Sequence, residues 1–229
     1  MGKFYVVATP IGNLDDISFR AIETLKSVDL ILAEDTRITR RLLQKYEINV
    51  KLDSYNSFST EYKKNKIIDL IKDDKSIALV SDAGTPTISD PGVKIVSDLY
   101  KEFGNNSDVE IIPIPGASAV LSALSVSGFP SSEFIFYGFL PHKKGRETIF
   151  KEIALNKKTS VFYESPHRLM KALDSLNKFC KDDRNIFVAR ELTKIYEQKI
   201  RGDVVEVEEF FKTNPKKIRG EFVIVVEGK

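Results

Sequence analysis

The sequence is short of the residues that build disulfides and soft metal centres. Its 229 residues include one cysteine, Cys180, so no disulfide can form within the chain. Two histidines, His142 and His167, together with one cysteine are too few for a Cys/His zinc site or an iron–sulfur cluster. A site made of carboxylates alone stays open, although no spacing of Asp and Glu indicates one.

Long apolar runs and a strong net charge are also missing. No apolar run approaches the roughly 20 residues that span a bilayer, and the N-terminus begins with a strand pattern rather than a signal peptide. We therefore expect a cytoplasmic protein. A net charge of +2 gives no global field that attracts nucleic acid, so local basic clusters must provide any such binding.

Three familiar ligand motifs are absent as well. No GxGxxG follows the first apolar run, and neither GxxxxGK[ST] nor GxSxG occurs anywhere. Ordinary dinucleotide binding, Walker-type ATP binding and a serine nucleophile elbow therefore lose their usual support. Loops rich in Gly, Pro and Asp could still hold a nucleotide-like ligand through their backbone groups.

Apolar runs alternate with helical patterns through the first half of the chain. Strands are predicted at 4–8, 30–33, 51–55, 77–80 and 109–113, with helices between them. This alternation predicts a parallel sheet with right-handed crossovers. Later strands at 134–138, 159–163, 185–190, 197–201 and 221–227 are closer together, which indicates a mixed sheet.

The segment 128–132, GFPSS, is typical of a boundary between domains. We therefore predict an N-terminal α/β domain over 1–128 and a C-terminal α/β domain over 129–229. Length supports this division, because 229 residues suffice for one large or two small domains.

Three helices have specific predicted features. Asp15 or Asp16 is expected to cap the first helix. The helix after residue 92 is expected to bury one face, formed by Val93, Val96, Leu99 and Phe103. Ser165 followed by Pro166 predicts a helix start, and the core face of that helix would carry Leu169, Leu173 and Leu176.

The segment 76–92, SIALVSDAGTPTISDPG, is the strongest candidate for a functional loop. A buried strand is followed by twelve residues dense in Gly, Pro, Asp, Ser and Thr, and then by a helix. An ordinary βα turn is the alternative, but such turns usually need only a few residues. The other strand ends read TPIGN, EDTR and PIPGAS, and in a parallel sheet all four lie on one edge, where open α/β sheets bind ligands.

Six segments resemble one family in their order and context. They are VVATPIGNLDDIS, LILAEDTRITRRLL, LVSDAGTPTISDPG, IPIPGASA, FYESPHRL and ARELTKIYE. The chain is thereby similar, over nearly all of 3–227, to the ribosomal RNA small-subunit methyltransferase I family. That family belongs to the S-adenosylmethionine-dependent tetrapyrrole methylase superfamily. The resemblance implies 2′-O-methylation of a cytidine in the decoding region of small-subunit ribosomal RNA, and commonly a homodimer.

The resemblance also implies a cofactor site, with S-adenosylmethionine in a cleft between two α/β domains. The implied cofactor residues are Pro10, Gly84, Thr85, Pro86, Ile88, Ser89, Gly116, Ala117, Ser118, Tyr163, Leu192 and Gly220. Relatives often have Asp where this chain has Thr85. Many relatives also continue past the last strand with a helical extension, whereas this sequence ends at Lys229, so we expect RNA to be held without it.

The implied chemistry needs a group that orients or deprotonates a ribose hydroxyl, because a neutral hydroxyl is a poor nucleophile. Carboxylates at predicted strand ends are the candidates, namely Glu34, Asp35, Asp90, Glu164 and Glu191. We favour Asp35 and Asp90 as catalytic residues. Arg37 is a candidate for holding a phosphate. Each carboxylate has a helix N-cap as its alternative role, and His167 is read as structural or as a ribose contact.

Two basic clusters are candidates for RNA contacts. One is the loop from His142 to Arg146, expected to be flexible, and the other comprises Arg37, Arg40 and Arg41. Lysine and arginine contacts to phosphate give affinity without sequence specificity. The alternative for each cluster is an ordinary solvated surface.

Two further functions remain open from the sequence. One is methylation of a small molecule such as a tetrapyrrole, which would bind and change the absorption spectrum of its precursor. The other is a protein that binds the cofactor and docks on ribosomes without catalysis. The segments AEDTR and DAGTPTISDPG argue against the first, and intact motifs argue against the second.

Overall fold

The computed structural model describes residues 2–90, 92–104, 109–180 and 184–229. It contains two compact units, Met1–Ser118 (the N-terminal unit) and Ala119–Lys229 (the C-terminal unit). In the described part of the chain, no helix has both the length and the apolar character that crossing a bilayer requires.

The N-terminal unit is a five-stranded sheet with the order β3-β2-β4-β1-β5, and every strand pair in it is parallel. Its strands are β1 Lys3–Val7, β2 Leu30–Ala33, β3 Leu52–Ser54, β4 Ser76–Val80 and β5 Glu110–Ile114. Its helices are α1 Phe19–Ser27, α2 Thr36–Lys45, α3 Glu61–Lys72 and α4 Val93–Phe103. The predicted parallel sheet is confirmed.

Both faces of this sheet are covered, which explains the continuous apolar runs of its central strands. Successive residues of β4 point to opposite faces. Ile77 and Leu79 join one buried cluster, while Ala78 and Val80 join another. Both faces of the sheet are therefore buried in apolar clusters, and the loops that follow the strands lie at its carboxyl edge.

One prediction about helices in this unit was wrong, and another was wrong at one residue. Ser18 caps α1, because its side chain accepts the backbone N–H of Ala21, whereas Asp15 and Asp16 lie in a preceding 3-10 turn. In α4 the buried face contains Ile95 and Leu99, and Val93 is 55% exposed. Val96 and Phe103 do pack against the core, so the predicted face was displaced at its start.

The C-terminal unit is a mixed five-stranded sheet with the order β6-β7-β10-β8-β9. Its strands are β6 Phe134–Phe139, β7 Thr159–Glu164, β8 Asn185–Arg190, β9 Gln198–Asp203 and β10 Phe222–Val226. Its helices are α5 Ala119–Ser127, α6 Arg146–Leu155, α7 Pro166–Phe179 and α8 Val204–Thr213. Among the strand pairs that the structure describes in this unit, β6 and β7 are parallel and the other three pairs are antiparallel, so the predicted mixed sheet is confirmed.

Helix α5 packs against β10 and so belongs to the C-terminal unit. The division between units therefore falls one helix earlier than the GFPSS segment suggested. Helix α7 begins with Pro166 as predicted, and Leu169, Leu173 and Leu176 are fully buried. Its N-cap residue Ser165 makes no capping hydrogen bond through its side chain.

Candidate active site

The loops after β1 and β4 are joined backbone to backbone at the carboxyl edge of the N-terminal sheet. The N–H of Thr9 donates to the carbonyl of Gly84 at 2.9 Å, and the N–H of Gly84 donates to the carbonyl of Thr9 at 3.0 Å. The Thr9 hydroxyl adds a bond to the carbonyl of Ser81 at 3.1 Å. The edge therefore presents these two loops as one fixed surface.

The loop after β5 is attached to the same surface. The Thr85 hydroxyl donates to the carbonyl of Ala117 at 3.2 Å. Gly116 packs against Ala8, the residue after β1, where an added Cβ atom would lie 3.0 Å from the Cβ of Ala8. Three predicted site residues, Thr85, Gly116 and Ala117, are thus brought together from segments about thirty residues apart.

The loop after β4 contains three residues in the left-handed backbone region. Gly84 has φ 81°, and the non-glycine residues Thr87 and Ser89 have φ 73° and 60°. This conformation is unfavourable for residues with a side chain, and such strain is concentrated at functional sites. Ile88, between the two strained residues, is 51% exposed.

The predicted cofactor residues of this unit differ in exposure. Pro10, Gly84 and Pro86 are buried, Thr85, Ala117 and Ser118 are partly buried, and Ile88, Ser89 and Gly116 are exposed. The two prolines are therefore covered and restrict the backbone of their loops, while the exposed and partly exposed residues form the accessible surface.

Carboxylates gather beside these loops, and one of them, Asp82, was missed from the sequence. Asp82 Oδ1 accepts the backbone N–H of Asp35 at 2.9 Å, which joins the loop after β2 to the loop after β4. Burial raises the pKa of Glu34, and the charges of Asp90, Asp82 and Asp35 raise it further. Burial likewise raises the pKa of Asp82. A raised pKa makes a carboxylate a stronger base.

Asp35, predicted to be catalytic, forms an ion pair with Arg37, the candidate for holding a phosphate. Asp35 is the N-cap of α2 and accepts the backbone N–H of Arg37 at 2.8 Å. The Arg37 side chain reaches the same carboxylate, with its Nη2 2.5 Å from Asp35 Oδ2. Hydrogen bonding to Arg37 lowers the pKa of Asp35 to about 2. Asp35 is therefore an ionised anchor and a weak base.

Asp90 closes the other side of the loop after β4. Its Oδ1 accepts the backbone N–H of Gly92 at 3.1 Å, just before α4 begins. This bond resembles a cap, although Gly92 itself holds the N-cap position. Pro91, between the two, lies outside the described residues.

In the C-terminal unit, the predicted cofactor residues have clear local roles. Tyr163 is held between Phe136 and Phe139, with ring centroids 5.1 and 5.2 Å away, and burial raises its pKa. Leu192 is buried and Gly220 is exposed. At Gly220, with φ 85°, a Cβ atom would lie 2.3 Å from the carboxyl carbon of Glu191, so this glycine makes room for that side chain.

Two of the carboxylates proposed from the sequence, Glu164 and Glu191, form structural ion pairs and hydrogen bonds. Glu164 has a fully buried side chain that pairs with Arg146 and Arg168. Glu191 accepts the backbone N–H of Glu221 at 2.9 Å and pairs with Lys194 at 3.0 Å. Neither carboxylate is free to orient a hydroxyl. His167 is exposed on the first turn of α7.

The side chains needed for a metal centre are not assembled. Across the described ranges, no three His, Cys, Asp or Glu side chains are grouped closely enough to hold a metal ion. The site that the structure defines is a set of strand-end loops with small residues, exposed backbone and adjacent carboxylates. This arrangement suits an organic ligand with a nucleoside-like body.

The family model of the Tetrapyrrole (Corrin/Porphyrin) Methylases matches residues 3–208. A solved structure, the cobalamin biosynthetic enzyme cobalt precorrin-4 methyltransferase, has the same fold, with a TM-score of 0.69 at 19% identity. That alignment covers 98% of this chain and 94% of the other. The chain therefore belongs to the tetrapyrrole methylase family, and it is a methyltransferase.

Curated relatives narrow the group within that family. The chain is 49% identical over its full length to "Ribosomal RNA small subunit methyltransferase I" of Bacillus subtilis, covering 76% of that protein. It is 45% identical to the protein of the same name from Thermotoga maritima, and that alignment covers all of both chains. The resemblance noted in the sequence is thereby confirmed.

Methyltransferases of this family use S-adenosylmethionine. The loops of the N-terminal unit suit such a group, because Gly116 and Ser89 are exposed small residues and Thr85 and Ala117 are partly exposed beside them. The residues that would hold it in this unit are Gly84, Thr85, Ile88, Gly116 and Ala117.

Proposed function

We propose that the chain methylates the ribose 2′-oxygen of a cytidine in the decoding region of small-subunit ribosomal RNA. The observation that carries this proposal is the similarity along the whole chain to relatives named ribosomal RNA small subunit methyltransferase I. Methylation of a tetrapyrrole has weaker support, because the likeness to the cobalt precorrin-4 enzyme is one of fold.

The residues of the N-terminal unit would act mainly by positioning. The cofactor supplies a methyl group on a cationic sulfonium. Loops fixed by the Thr9–Gly84 and Thr85–Ala117 bonds would orient it toward the ribose, and such alignment supplies much of the rate of a methyl transfer. Tyr163, Leu192 and Gly220 are proposed as contacts from the C-terminal unit.

A carboxylate would orient or deprotonate the 2′-hydroxyl. Asp90 remains our candidate from the sequence, and the raised pKa adds Asp82. Asp35, whose pKa is lowered to about 2, is better suited to holding Arg37 and α2 in place. We propose that Arg37, whose side chain is 87% exposed, contacts an RNA phosphate.

The proposed partners follow from the proposed substrate. The small ribosomal subunit or its RNA is the acceptor, the enzyme works as a homodimer, and the reaction takes place in the cytoplasm. Sedimentation velocity of the purified protein tests the dimer, and a single species with the mass of one chain would contradict it.

Transfer of labelled methyl from S-adenosylmethionine tests the proposed function. Small subunits from a strain that lacks this gene serve as the acceptor. We expect label at one cytidine whose 3′ phosphodiester resists alkali, as a 2′-O-methyl confers. Absence of label on subunits and on naked RNA, with the cofactor still bound, would overturn the proposal.

Variants of the carboxylates test the assignment of roles. Asp82→Asn and Asp90→Asn should each retain cofactor affinity and lower kcat by about 10²-fold, the effect of removing a general base. Glu23→Asn, on the exposed surface of α1, is the control. Normal turnover of both variants would remove these two residues from the mechanism.

A further inference from the structure

A short basic loop, residues 140–145, connects β6 to α6, whose first residue is Arg146. His142, Lys143 and Lys144 are exposed in it, while Leu140 is buried. Neither lysine forms an ion pair with any residue that the structure describes. Many other lysines of the chain are paired, for example Lys151 with Glu147 at 3.0 Å. The loop therefore presents two positive charges that the protein leaves uncompensated.

Beneath this loop lies a buried carboxylate with two guanidinium partners. The Glu164 side chain is 0% exposed. Its Oε2 is 2.6 Å from Arg146 Nη2, and its Oε1 is 2.8 Å from Arg168 Nε. The backbone N–H of Ser165 donates to Oε1 at 2.8 Å. Oε1 therefore has two donors and Oε2 has one, so both oxygens of the buried carboxylate are paired.

The two arginines use their remaining N–H groups to hold the loop. Arg168 Nη1 donates to the carbonyl of Leu140 at 2.9 Å, and Arg146 Nη1 donates to the carbonyl of Pro141 at 3.4 Å. The backbone N–H of Arg146 donates to the carbonyl of Lys143 at 3.2 Å. Both ends of the loop are thereby tied to one carboxylate.

The sheet explains why these groups meet. Strands β6 and β7 are parallel, with Phe139 opposite Tyr163, so the loop that follows β6 lies beside Glu164 at the end of β7. Because the Arg146 side chain is only 12% exposed and is paired with Glu164, the exposed cations that the described structure leaves in this loop are the two lysines. From the sequence, the whole stretch from His142 to Arg146 was a candidate for a flexible RNA contact. In the structure the Arg146 side chain pairs with Glu164, and Lys143 and Lys144 are exposed.

A buried ion triad is a poor source of stability, since apolar side chains of the same volume often stabilise as well or better. What the triad supplies here is geometry. The triad holds the backbone of Lys143 and Lys144 in place. Lysines on a fixed backbone lose less conformational freedom on binding a phosphate than lysines on a mobile loop.

We propose that the basic loop is a preorganised phosphate-binding surface for RNA, and that Glu164 is the positioning residue that shapes it through Arg146 and Arg168. The proposal rests on the proposed function, because it assigns the same RNA to this surface. The proposed surface provides affinity for the phosphate backbone. It does not select the nucleotide that is methylated, because phosphate contacts carry no sequence information.

A double variant tests the surface itself. Lys143→Ala with Lys144→Ala should weaken binding to unmodified small-subunit ribosomal RNA by at least tenfold at low salt. The slope of log affinity against log salt concentration should become shallower by about 1.4, because each contact to single-stranded RNA contributes about 0.7. Affinity for S-adenosylmethionine should not change.

The control carries the same loss of charge elsewhere in the C-terminal unit. Lys157 and Lys158 are adjacent and exposed, and they precede β7, whereas the basic loop lies at the opposite end of that strand. Lys158 differs from the loop lysines in that it pairs with Glu133 at 3.2 Å. Lys157→Ala with Lys158→Ala should keep the wild-type salt slope. If both double variants behave alike, the surface is wrongly assigned.

Two further variants test the positioning role. Glu164→Gln removes the charge that holds both arginines, and insertion of two glycines between Lys144 and Gly145 loosens the loop while all its charges remain. Each should raise KM for the RNA several-fold and leave kcat near the wild-type value. The insertion lies in an exposed loop tip, where folding tolerates added residues.

The outcomes separate this inference from the proposed function. If the insertion variant has a wild-type KM and salt slope, fixed geometry is not what matters and the positioning role fails. If the wild-type protein transfers no methyl group to any RNA yet the lysine variant still changes RNA affinity, the proposed function fails while the surface stands.

Discussion

Asp35 shows how one side chain can be structural and still lie in a functional loop. It caps α2 and pairs with Arg37, two contacts that need its oxygen atoms in place. We expect Asp35→Ala to lower the thermal midpoint by roughly 2–4 °C, because the N-cap is lost. Asp35→Asn should restore most of that stability, since Asn is also a good cap.

Differential scanning calorimetry of the two Asp35 variants, together with the methyl-transfer assay, separates the two roles. A stable Asp35→Asn protein with normal turnover would confine Asp35 to capping. A stable Asp35→Asn protein with strongly reduced turnover would contradict our assignment and make the charge itself necessary.

Glu34 gives a prediction about pH. Burial and three neighbouring carboxylates raise its pKa in the folded protein, so ionising it costs folding free energy. Its contribution to stability is fully present below the ordinary pKa of Glu and is lost as pH rises through the raised value. Glu34→Gln should therefore increase the thermal midpoint by about 1–2 °C at pH 7 and leave it unchanged near pH 4.

Thermal unfolding of Glu34→Gln at both pH values checks this sign, with the exposed Glu23→Gln as the control. An equal gain at pH 4 and pH 7 would mean that the side-chain volume, and not its ionisation, sets the difference.

The sequence located the residues of the loops better than it located their partners. The loops were predicted because Gly, Pro and Ser at strand ends signal a ligand site in a parallel sheet. The individual residues Gly84, Thr85 and Ala117 came from the family resemblance. Asp82 and the partners of Glu164 were missed. Arg146 is 18 positions from Glu164 in sequence, and only the pairing of β6 with β7 brings them together.

At the level of elements, helix α7 carries much of the C-terminal core. Leu173 is fully buried in the cluster that α7 shares with α8 and the sheet. Leu173→Ala should reduce the free energy of unfolding by about 2–5 kcal/mol, the usual cost of removing a buried leucine side chain. Val205→Ala, at a position 59% exposed on α8, should change it by less than about 0.5 kcal/mol.

Urea unfolding followed by circular dichroism measures both changes. A loss of stability in Leu173→Ala no larger than in Val205→Ala would show that α7 does not anchor the core.

The elements that periodicity predicted well are those with strong local signals. The predicted boundary at GFPSS placed helix α5 in the N-terminal domain, whereas its contact with β10 joins it to the C-terminal unit across about a hundred residues. Helix α4 was misjudged at its start because Val93 and Ile95 are both apolar. Only packing decides which of the two is buried.

At the scale of the whole molecule, each unit has its own buried clusters. The N-terminal sheet has one on each face, and the C-terminal unit has a cluster of its own. We therefore expect Leu173→Ala to increase amide hydrogen exchange in β7, β8 and β10 more than in β1 and β4. Mass spectrometry of peptides from each strand measures this, and an equal increase in all five strands would contradict it.

Charge is also distributed locally rather than globally. The chain has 35 Lys and Arg against 33 Asp and Glu, so its total charge predicts little about RNA. The sequence could identify basic clusters, but it could not show which cations are already neutralised by buried carboxylates.

The single cysteine has a practical consequence. Cys180 is buried at the end of α7 within the C-terminal core, and burial raises the pKa of its thiol. A thiol that is both covered and protonated reacts slowly, and no second thiol competes for reagent. Modification by a chromogenic disulfide should therefore proceed as a single exponential. Its rate reports how often the C-terminal core opens, so this motion can be measured without introducing a label.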